Sequence, residues 1–373
     1  MRKTSALLAV VCLSLIVAGG TGAANGRSSR PVCPGSPIGT AHCHALVVTD
    51  GVGNPNASSS PTGLSPATIK SVYSFPGNLT GAGKTIAIVD AYDDPNAESD
   101  LGVFSQTYGL PTCTTANGCF RKVDQNGGTL YPRKDSGWAL EIALDIEWAH
   151  AIAPDAHILL VEAASNSFAN LLTAERYAGA NAAYVSNSWG GSEFSGESSY
   201  DSSFAHSGTS YFVSSGDSGL PAEYPSASPN VISVGGTTLH FSGTTFTSET
   251  GWSGSGGGCS AYESANSAQS TGSVNCNGKR ATPDVALDAD PASGVSVYDT
   301  TRYQGQSGWF TVGGTSASSP MWAARAADSG SVVDAGFVYG ASSSMFRDIT
   351  SGNNGANALT GYDLVTGRGS WVG

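Results

Sequence analysis

Short apolar runs alternate along this chain with longer segments in which apolar residues recur at helical spacing. The runs are too short for helices and predict buried β-strands, whereas the longer segments predict helices. Such alternation is typical of a mostly parallel central sheet with helices on both faces, so we predict an α/β fold. The predicted strands span residues 84–90, 157–161, 182–186, 211–215 and 231–234, and the predicted helices span residues 96–108, 137–152 and 166–179.

The chain divides into three predicted segments: a signal peptide, a short leader and one large domain. A basic start, a short apolar stretch from Ala6 to Ala18 and a run of small residues predict a secretory signal peptide over 1–24. Residues 25–62 are rich in Pro, Gly and Ser and predict a short leader, either loose or ordered by a disulfide. Residues 63–373 have the length of one large α/β domain. No later stretch is long enough to span a membrane, so we expect a secreted protein.

The composition and charge of the chain indicate which medium suits the protein and which partners do not suit it. The formal net charge is −12 and the pI is near 4.8, yet only 12% of residues are charged. A surface with few ion pairs loses little when carboxylates are protonated, which suits an acidic medium. The absence of a Lys/Arg cluster argues against nucleic acid or an anionic membrane as partner, and a monomer is the default expectation.

The cysteines indicate disulfides rather than a metal site. Six remain once Cys12 leaves with the signal peptide, and no Cys-x-x-Cys pair is present. Sequence alone does not fix their connectivity. The spacing favours the local pairs Cys33–Cys43, Cys113–Cys119 and Cys259–Cys276.

The segment 313–320, GGTSASSP, is the strongest candidate for chemistry. Small residues around Ser316 suit a strand-to-helix turn that presents its Oγ, and Pro320 suits the first turn of the following helix. Backbone N–H groups at such a helix start could hold an oxyanion. The alternative is an ordinary Ser/Gly turn.

A serine nucleophile needs a base, and none of the six histidines lies in a His-Gly-Thr setting. Glu141 and Asp145 are four residues apart on the predicted helix 137–152 and therefore share one face. Two carboxylates that close share a proton, and in acid they can accept the proton of a serine. The alternative is a pair of solvated surface acids.

Asp217 follows the predicted strand 211–215 within the sequence SSGDSG. Loops at the carboxyl ends of sheet strands commonly carry the chemistry of α/β folds. A protonated Asp there would donate a hydrogen bond to an oxyanion, whereas an ionised one would repel it. The alternative is an Asx-turn.

Together these motifs resemble the sedolisin family of serine-carboxyl peptidases, which have a subtilisin-like fold. The resemblance rests on EIALDIEWAHAIAP from Glu141, SNSWGG from Ser186, SSGDSG from Ser214, TPDVALDADP from Thr282 and GGTSASSP from Gly313. It implies catalytic roles for four residues: Ser316 as nucleophile, Glu141 as general base, Asp145 as its carboxylate partner and Asp217 as oxyanion-hole donor.

The resemblance also implies supporting residues. Asp90 would extend the carboxylate network, and Trp189 would be linked to it. Substrate would add as a β-strand to an edge formed by Ser188, Trp189, Gly190 and Gly191.

A calcium site is implied near the carboxyl end of the chain. One Ca²⁺ ion would be held by carboxylates and backbone carbonyls, the oxygen ligands that a hard cation prefers. Leu359 stands where the family usually has Gly, and its carbonyl can serve only if its φ is negative. The implied ligands are the side chains of Asp348 and Asp363 and the carbonyls of Ile349, Leu359 and Gly361.

These features predict a secreted, acid-active serine endopeptidase that cleaves proteins or peptides through an acyl-enzyme on Ser316. Tripeptidyl-peptidase activity is a variant of the same prediction. The family usually carries a long folded propeptide, and residues 25–62 are too few for one. The alternative is therefore a secreted binding protein that keeps the fold without turnover. A neutral pH optimum would instead favour a histidine-dependent serine hydrolase.

Overall fold

A computed structural model of the chain describes residues 28–35, 37–270 and 276–373. The predicted signal peptide lies outside the described residues. The strands are, in chain order, β1 (Ser29–Pro31), β2 (His42–Cys43), β3 (Leu46–Val48), β4 (Thr85–Ala91), β5 (Phe120–Asp124), β6 (His157–Ala163), β7 (Tyr184–Asn187), β8 (Trp189–Ser192), β9 (Ser210–Ser214), β10 (Glu223–Tyr224), β11 (Ile232–Ser242), β12 (Thr245–Gly251), β13 (Gly258–Ser264), β14 (Lys279–Thr282), β15 (Val285–Asp288), β16 (Val295–Tyr303), β17 (Gln306–Gly313), β18 (Phe346–Arg347) and β19 (Ser370–Trp371).

In the described parts of the chain, seven α-helices and three short 3₁₀ segments connect these strands. The helices are α1 (Pro66–Val72), α2 (Ala97–Tyr108), α3 (Ser136–Ile152), α4 (Phe168–Asn181), α5 (Ser267–Ser270), α6 (Thr315–Ser329) and α7 (Ala335–Gly340). The 3₁₀ segments are Glu197–Phe204, Pro291–Ser293 and Ser343–Met345.

Among the described residues, the central sheet is built around eight adjacent parallel strands in the order β19-β15-β11-β9-β7-β4-β6-β5. All five predicted strands belong to this parallel core. Their near-continuous burial explains why they appear in the sequence as apolar runs rather than as alternating patterns. Helices α3 and α6 pack on each other and on β4, while α4 covers β4, β6 and β7 from the opposite face. The predicted α/β fold is confirmed.

The helix after Ser316 begins earlier than the position of Pro320 suggests. Helix α6 starts at Thr315, directly after the N-cap Gly314, whose φ is 91°. Pro320 therefore lies inside the helix, beyond the first turn, and the prediction of its place was wrong. Proline removes the bond that would reach the carbonyl four residues earlier, which is that of Ser316.

The N-terminal segment is folded into the molecule. Strands β1 and β3 join β16 and β17 in a four-stranded sheet, and β2 joins β8 and β10 in a three-stranded one. The disulfide Cys33–Cys43 ties the segment to itself, and Cys113–Cys119 and Cys259–Cys276 are the other two bridges, as predicted. Within the described part of the chain, no helix has both the length and the apolar character needed to cross a bilayer.

Candidate active site

Ser316 lies at the start of α6, where β17 turns into the helix, and it is fully buried. Its Oγ donates a hydrogen bond to the carbonyl of Ser188 at 3.3 Å. Because Pro320 cannot donate to it, the carbonyl of Ser316 is free to accept from the Oγ of Ser188, also at 3.3 Å. The proline inside α6 thus allows a second link between the serine and the end of β7.

Helix α3 carries Glu141 and Asp145 into the interior. Asp135 caps its first turn by accepting from the amides of Gly137 and Trp138, and the helix is buried on all sides. Both carboxylates have no solvent exposure, so the alternative of two solvated surface acids is excluded. The single hydroxyl proton of Ser188 is shared between the carbonyl of Ser316 and Oδ1 of Asp145, which lies 2.8 Å from the Oγ, and so connects this helix to Ser316.

Asp90, at the penultimate position of β4, completes a carboxyl cluster with Glu141 and Asp145. Burial, then the neighbouring carboxylates, raises the pKa of Asp90 and of Glu141 well above their usual values, and burial alone does so for Asp145. Ser316 acts in the opposite direction and lowers the pKa of Glu141, although its hydroxyl donates to the carbonyl of Ser188 in this arrangement. Both oxygens of Glu141 and of Asp90 lack a hydrogen-bond partner among the described residues. Such groups share protons and titrate as a unit.

Asp217 approaches Ser316 from the loop that follows β9. Its Oδ1 accepts from the amide of Thr315 at 2.7 Å and from the hydroxyl of Thr315 at 3.0 Å. Its Oδ2 is buried without a hydrogen-bond partner among the described residues. Burial raises the pKa of Asp217 to about 7, so in acid Oδ2 carries a proton that it can donate.

Trp189 links the end of the sheet to the carboxyl cluster. Its indole donates to the carbonyl of Val89, the residue before Asp90, at 2.8 Å. Its ring is fully buried and contacts Phe168. The residue therefore fixes the position of β4 relative to β8.

The predicted substrate edge already has a strand on it, formed by the chain's own N-terminal segment. His42 pairs with Gly190 and Cys43 with Trp189 in an antiparallel ladder. The amide of the following residue, His44, donates to the carbonyl of Ser188 at 3.0 Å. This segment is not among the strands predicted from the sequence, although the apolar run from Ala45 to Val48 beside a paired cysteine could have indicated a buried strand.

No described hydrogen bond joins a histidine ring to Ser316. The two ring nitrogens of His44 instead contact Ser214 and Glu223. In this arrangement Ser316 is connected through Ser188 to a carboxylate of α3 and not to an imidazole.

Comparison with known proteins fits this arrangement. The model of the subtilase family matches residues 127–351, which include Glu141, Asp145, Asp217 and Ser316. Kumamolisin from Bacillus sp. (strain MN-32) is 32% identical over 85% of this chain. Sedolisin from Pseudomonas sp. (strain 101) is 37% identical over 44% of this chain. The chain belongs to the sedolisin family.

The solved structure of Pseudomonas sedolisin, described as a serine-carboxyl proteinase in complex with two molecules of pseudo-iodotyrostatin, superposes with a TM-score of 0.72 at 29% identity. The match covers 84% of this chain and 96% of that one. The subtilisin-like fold that the resemblance implies is therefore confirmed. The chain spans 63% of the length of kumamolisin and 34% of the length of the curated sedolisin sequence.

Four of the five residues of the implied calcium site contact one another in pairs. Asp348 accepts from the amide of Gly361 at 3.0 Å, and Asp363 accepts from the amide of Leu359 at 2.9 Å. The carboxylates thus contact the two residues whose carbonyls the resemblance assigns as ligands. Gly361 has a φ of 85°, whereas Leu359 is not among the described residues with positive φ. The leucine therefore carries no backbone strain there, and the oxygen-only donor set suits a hard cation.

Two other groups of potential metal ligands occur among the described residues. One contains His150 beside Cys113 and Cys119, whose thiols are consumed by their disulfide. The other consists of His42, His44 and Glu223, where the imidazole of His44 is already hydrogen-bonded to the carboxylate. Neither offers a set of free ligands.

Proposed function

We propose that this chain is a serine-carboxyl peptidase that hydrolyses peptide bonds in acid. The observation that carries the proposal is the pairing of two buried features around Ser316. A carboxyl cluster with raised pKa values lies behind its hydroxyl, and the unpartnered Oδ2 of Asp217 lies where an oxyanion needs a donor. Few structural roles require so many buried acids without partners, since each costs free energy.

In the acylation step, Glu141 accepts the proton of Ser316 while the serine Oγ attacks the carbonyl carbon of the substrate. The negative charge of the cluster is shared among carboxyl groups that cannot all ionise. The developing oxyanion is held by the amide of Ser316 and by the protonated Oδ2 of Asp217. Glu141 then returns the proton to the departing amine, and the C–N bond breaks.

In the second step a water molecule hydrolyses the acyl-enzyme with Glu141 again accepting a proton. The two halves of the site require opposite protonation states. At least one cluster carboxylate has to be ionised, which sets the acid limit of activity. Asp217 has to be protonated, and its pKa near 7 sets the upper limit.

The substrates are proteins and peptides that add as a strand to Ser188, Trp189, Gly190 and Gly191. Main-chain pairing along such an edge is independent of sequence and suits cleavage within a polypeptide. The edge already pairs with β2, so a substrate has to displace residues 42–44. Secretion, endopeptidase specificity and a monomeric state complete the proposal.

One Ca²⁺ ion bound by Asp348 and Asp363 and by the carbonyls of Ile349, Leu359 and Gly361 would stabilise the loop 348–363. The role of the ion would be structural, because the loop 348–363 contributes no group to the carboxyl cluster. The ion would cross-link residues that otherwise depend on backbone hydrogen bonds.

The test is hydrolysis of denatured protein across pH 2–8 by the wild-type chain and by Ser316→Ala. Ser318→Ala is the matched control, since Ser318 is equally buried on α6 but donates to the carbonyls of Gly235 and Thr315. We expect an acid optimum that Ser316→Ala abolishes and Ser318→Ala preserves. A folded wild-type chain without turnover at any pH would favour a binding protein, and an optimum at pH 7–8 would favour a histidine base.

A further inference from the structure

Residues 42–44 lie against the catalytic serine as a peptide substrate would. The ladder with β8 ends at His44, whose amide donates to Ser188. The carbonyl of His44 then accepts from the amide of Ser316, with an N–O distance of 3.4 Å. This amide is the backbone donor that the proposed mechanism assigns to the oxyanion.

On the other side of His44 the chain continues along a second edge. Leu46 pairs with Gly313 and Val47 with Val312 at the end of β17. The peptide bond between His44 and Ala45 therefore bridges the two edges beside Ser316.

Gly314 shows how closely the groups converge. A Cβ atom there would lie 1.9 Å from the carbonyl oxygen of His44 and 2.7 Å from Oδ2 of Asp217. The carbonyl of His44 and the side-chain donor of the proposed oxyanion hole thus border the same small space.

The side chain of His44 occupies a closed pocket, which we call the imidazole pocket and which is formed by Ser214, Glu223 and Gly190. Its Nδ1 lies 2.7 Å from the Oγ of Ser214, and its Nε2 lies 3.1 Å from Oε2 of Glu223. A Cβ on Gly190 would lie 2.8 Å from the imidazole ring and 3.2 Å from the same carboxylate oxygen. Glycine at this position therefore makes room for both groups.

The imidazole pocket favours a positively charged occupant. Burial disfavours the charged imidazole, but the hydrogen bond and the charge of Glu223, followed by Asp217 and Ser214, outweigh it, and the pKa of His44 is raised. Burial likewise opposes the charge of Glu223, yet His44 lowers its pKa overall. The side chains are 0% and 14% exposed, so a neutral occupant would leave a buried carboxylate without a counter-charge.

We propose that the imidazole pocket binds the substrate side chain that precedes the scissile bond, and that Glu223 selects imidazole and other cationic side chains there. This inference rests on the proposed function, since it names the substrate class of the same site. The chain's own His44 is the resident occupant and shows the mode of binding.

The test uses quenched fluorescent peptides that copy residues 40–47, with Ser in place of Cys43 and with His, Arg, Gln or Leu at the position of His44. At pH 5 the His peptide is charged and Gln is its neutral counterpart. We expect kcat/KM of the wild-type chain to be about 10- to 100-fold higher for His than for Gln, as for a hydrogen bond to a charged group. In Glu223→Gln the ratio of the two values should fall towards one.

Glu197→Gln is the matched control. Glu197 is a buried glutamate whose raised pKa reflects burial and then Glu193 and Glu263 rather than the imidazole pocket. It should keep the wild-type ratio. A wild-type ratio near one, or a ratio that Glu223→Gln leaves unchanged, would overturn the inference.

A second readout separates this inference from the proposed function because it needs no turnover. In the Ser316→Ala background, hydrogen exchange of the His44 amide reports how firmly residues 42–44 sit on their edge. We expect Glu223→Gln to speed this exchange about tenfold or more, and Glu197→Gln to leave it unchanged. If no peptide is hydrolysed by a folded wild-type chain, the peptidase proposal fails and this measurement alone decides the pocket. Unchanged exchange in Glu223→Gln would overturn the pocket.

Discussion

The carboxylates beside Ser316 and those of the loop 348–363 differ in what meets their oxygens. Glu141 and Asp90 are fully buried, and their oxygens have no hydrogen-bond partner among the described residues. Asp363 is almost as buried, but its Oδ1 accepts from the amides of Val365 and Thr366 at 2.8 Å each. Backbone amides of the loop therefore stabilise the negative charge of Asp363, whereas no hydrogen bond among the described residues stabilises a charge on Glu141 or Asp90.

This difference distinguishes carboxyl groups suited to proton transfer from carboxylates that stabilise the structure through hydrogen bonds. A carboxylate that accepts several N–H bonds is stabilised in its charged form, and these bonds oppose the rise in the pKa of Asp363 that burial causes. A carboxylate without them takes up a proton readily and can give it back, which is what proton transfer requires. Burial alone therefore does not identify a catalytic acid in this fold. Buried Glu175 also lacks hydrogen-bond partners on both oxygens among the described residues, so Glu141 and Asp90 are distinguished by their place in the cluster beside Ser316 as well.

The largest expected effect is that of Glu141→Gln. The amide cannot accept the proton of Ser316, so kcat should fall about 10²- to 10⁴-fold. Measurement of kcat at the acid optimum checks this. Glu147→Gln is the control, because Glu147 is equally buried on the same helix but its Oε2 accepts from the amide of Tyr298. A similar loss in both variants would mean that burial in α3, and not chemistry, is responsible.

The next effect separates Asp217 from the carboxyl cluster by its pH dependence. The pKa of Asp217 is raised to about 7, so its donated hydrogen bond is present below that pH and is lost as the pH rises through it. In Asp217→Asn the side-chain amide donates at every pH while its oxygen can still accept from Thr315. We expect kcat/KM in acid to fall at most about 10²-fold and the decline near pH 7 to disappear from the pH profile.

Asp217→Ala supplies the contrast to that prediction. It removes the donor altogether and should cost about 10²- to 10³-fold in kcat. A profile of Asp217→Asn that still declines near pH 7 would assign this limb to another group, such as the carboxyl cluster.

Local patterns made one part of this site predictable. The spacing of Glu141 and Asp145 places both on one side of a helix, and the apolar run before Asp217 places it after a buried strand. Both inferences need only the periodicity of a single element. The same local information fails at the helix start, where Pro320 indicated a later beginning than Thr315.

The remainder depends on contacts between distant segments. His44 and Glu223 are 179 residues apart in sequence, and nothing in either neighbourhood indicates that their side chains meet. The bond from Ser188 to the carbonyl of Ser316 depends on an acceptor that a proline has left free. Such pairs follow from the packing of whole elements, which periodicity in a single segment does not determine.

The loop 348–363 should depend on Ca²⁺ for part of its stability. Removing Ca²⁺ with a chelator should lower the melting temperature by several degrees, since a ligand at 100 times its Kd stabilises a fold by about 2.7 kcal/mol. In Asp363→Asn the bonds to backbone amides are weakened as well, and chelation should then have no further effect. Calorimetry with and without Ca²⁺ measures both. Equal melting temperatures of the wild-type chain in both conditions would leave the loop held by its hydrogen bonds alone.

The smallest expected effect is a gain in stability from Asp90→Asn. The folded pKa of Asp90 is raised, so its contribution favours folding below the unfolded pKa and is lost as the pH rises through the folded value. At pH 8 the unfolded chain gains by ionising this group, while the folded chain either keeps it neutral or buries a charge. Asparagine removes that penalty and resembles the protonated acid.

We therefore expect Asp90→Asn to raise the melting temperature at pH 8 by roughly 2–6 °C and to leave it almost unchanged at pH 4. Thermal unfolding at the two pH values measures the difference, with Asp363→Asn as the contrast. Because Asp363 is satisfied by backbone amides, its replacement should destabilise the fold at both pH values. A loss of stability in Asp90→Asn at pH 8 would show that the ionised carboxylate has a partner in the folded chain. The contrast with the hydrogen-bonded carboxylate of Asp363 would then not apply to Asp90.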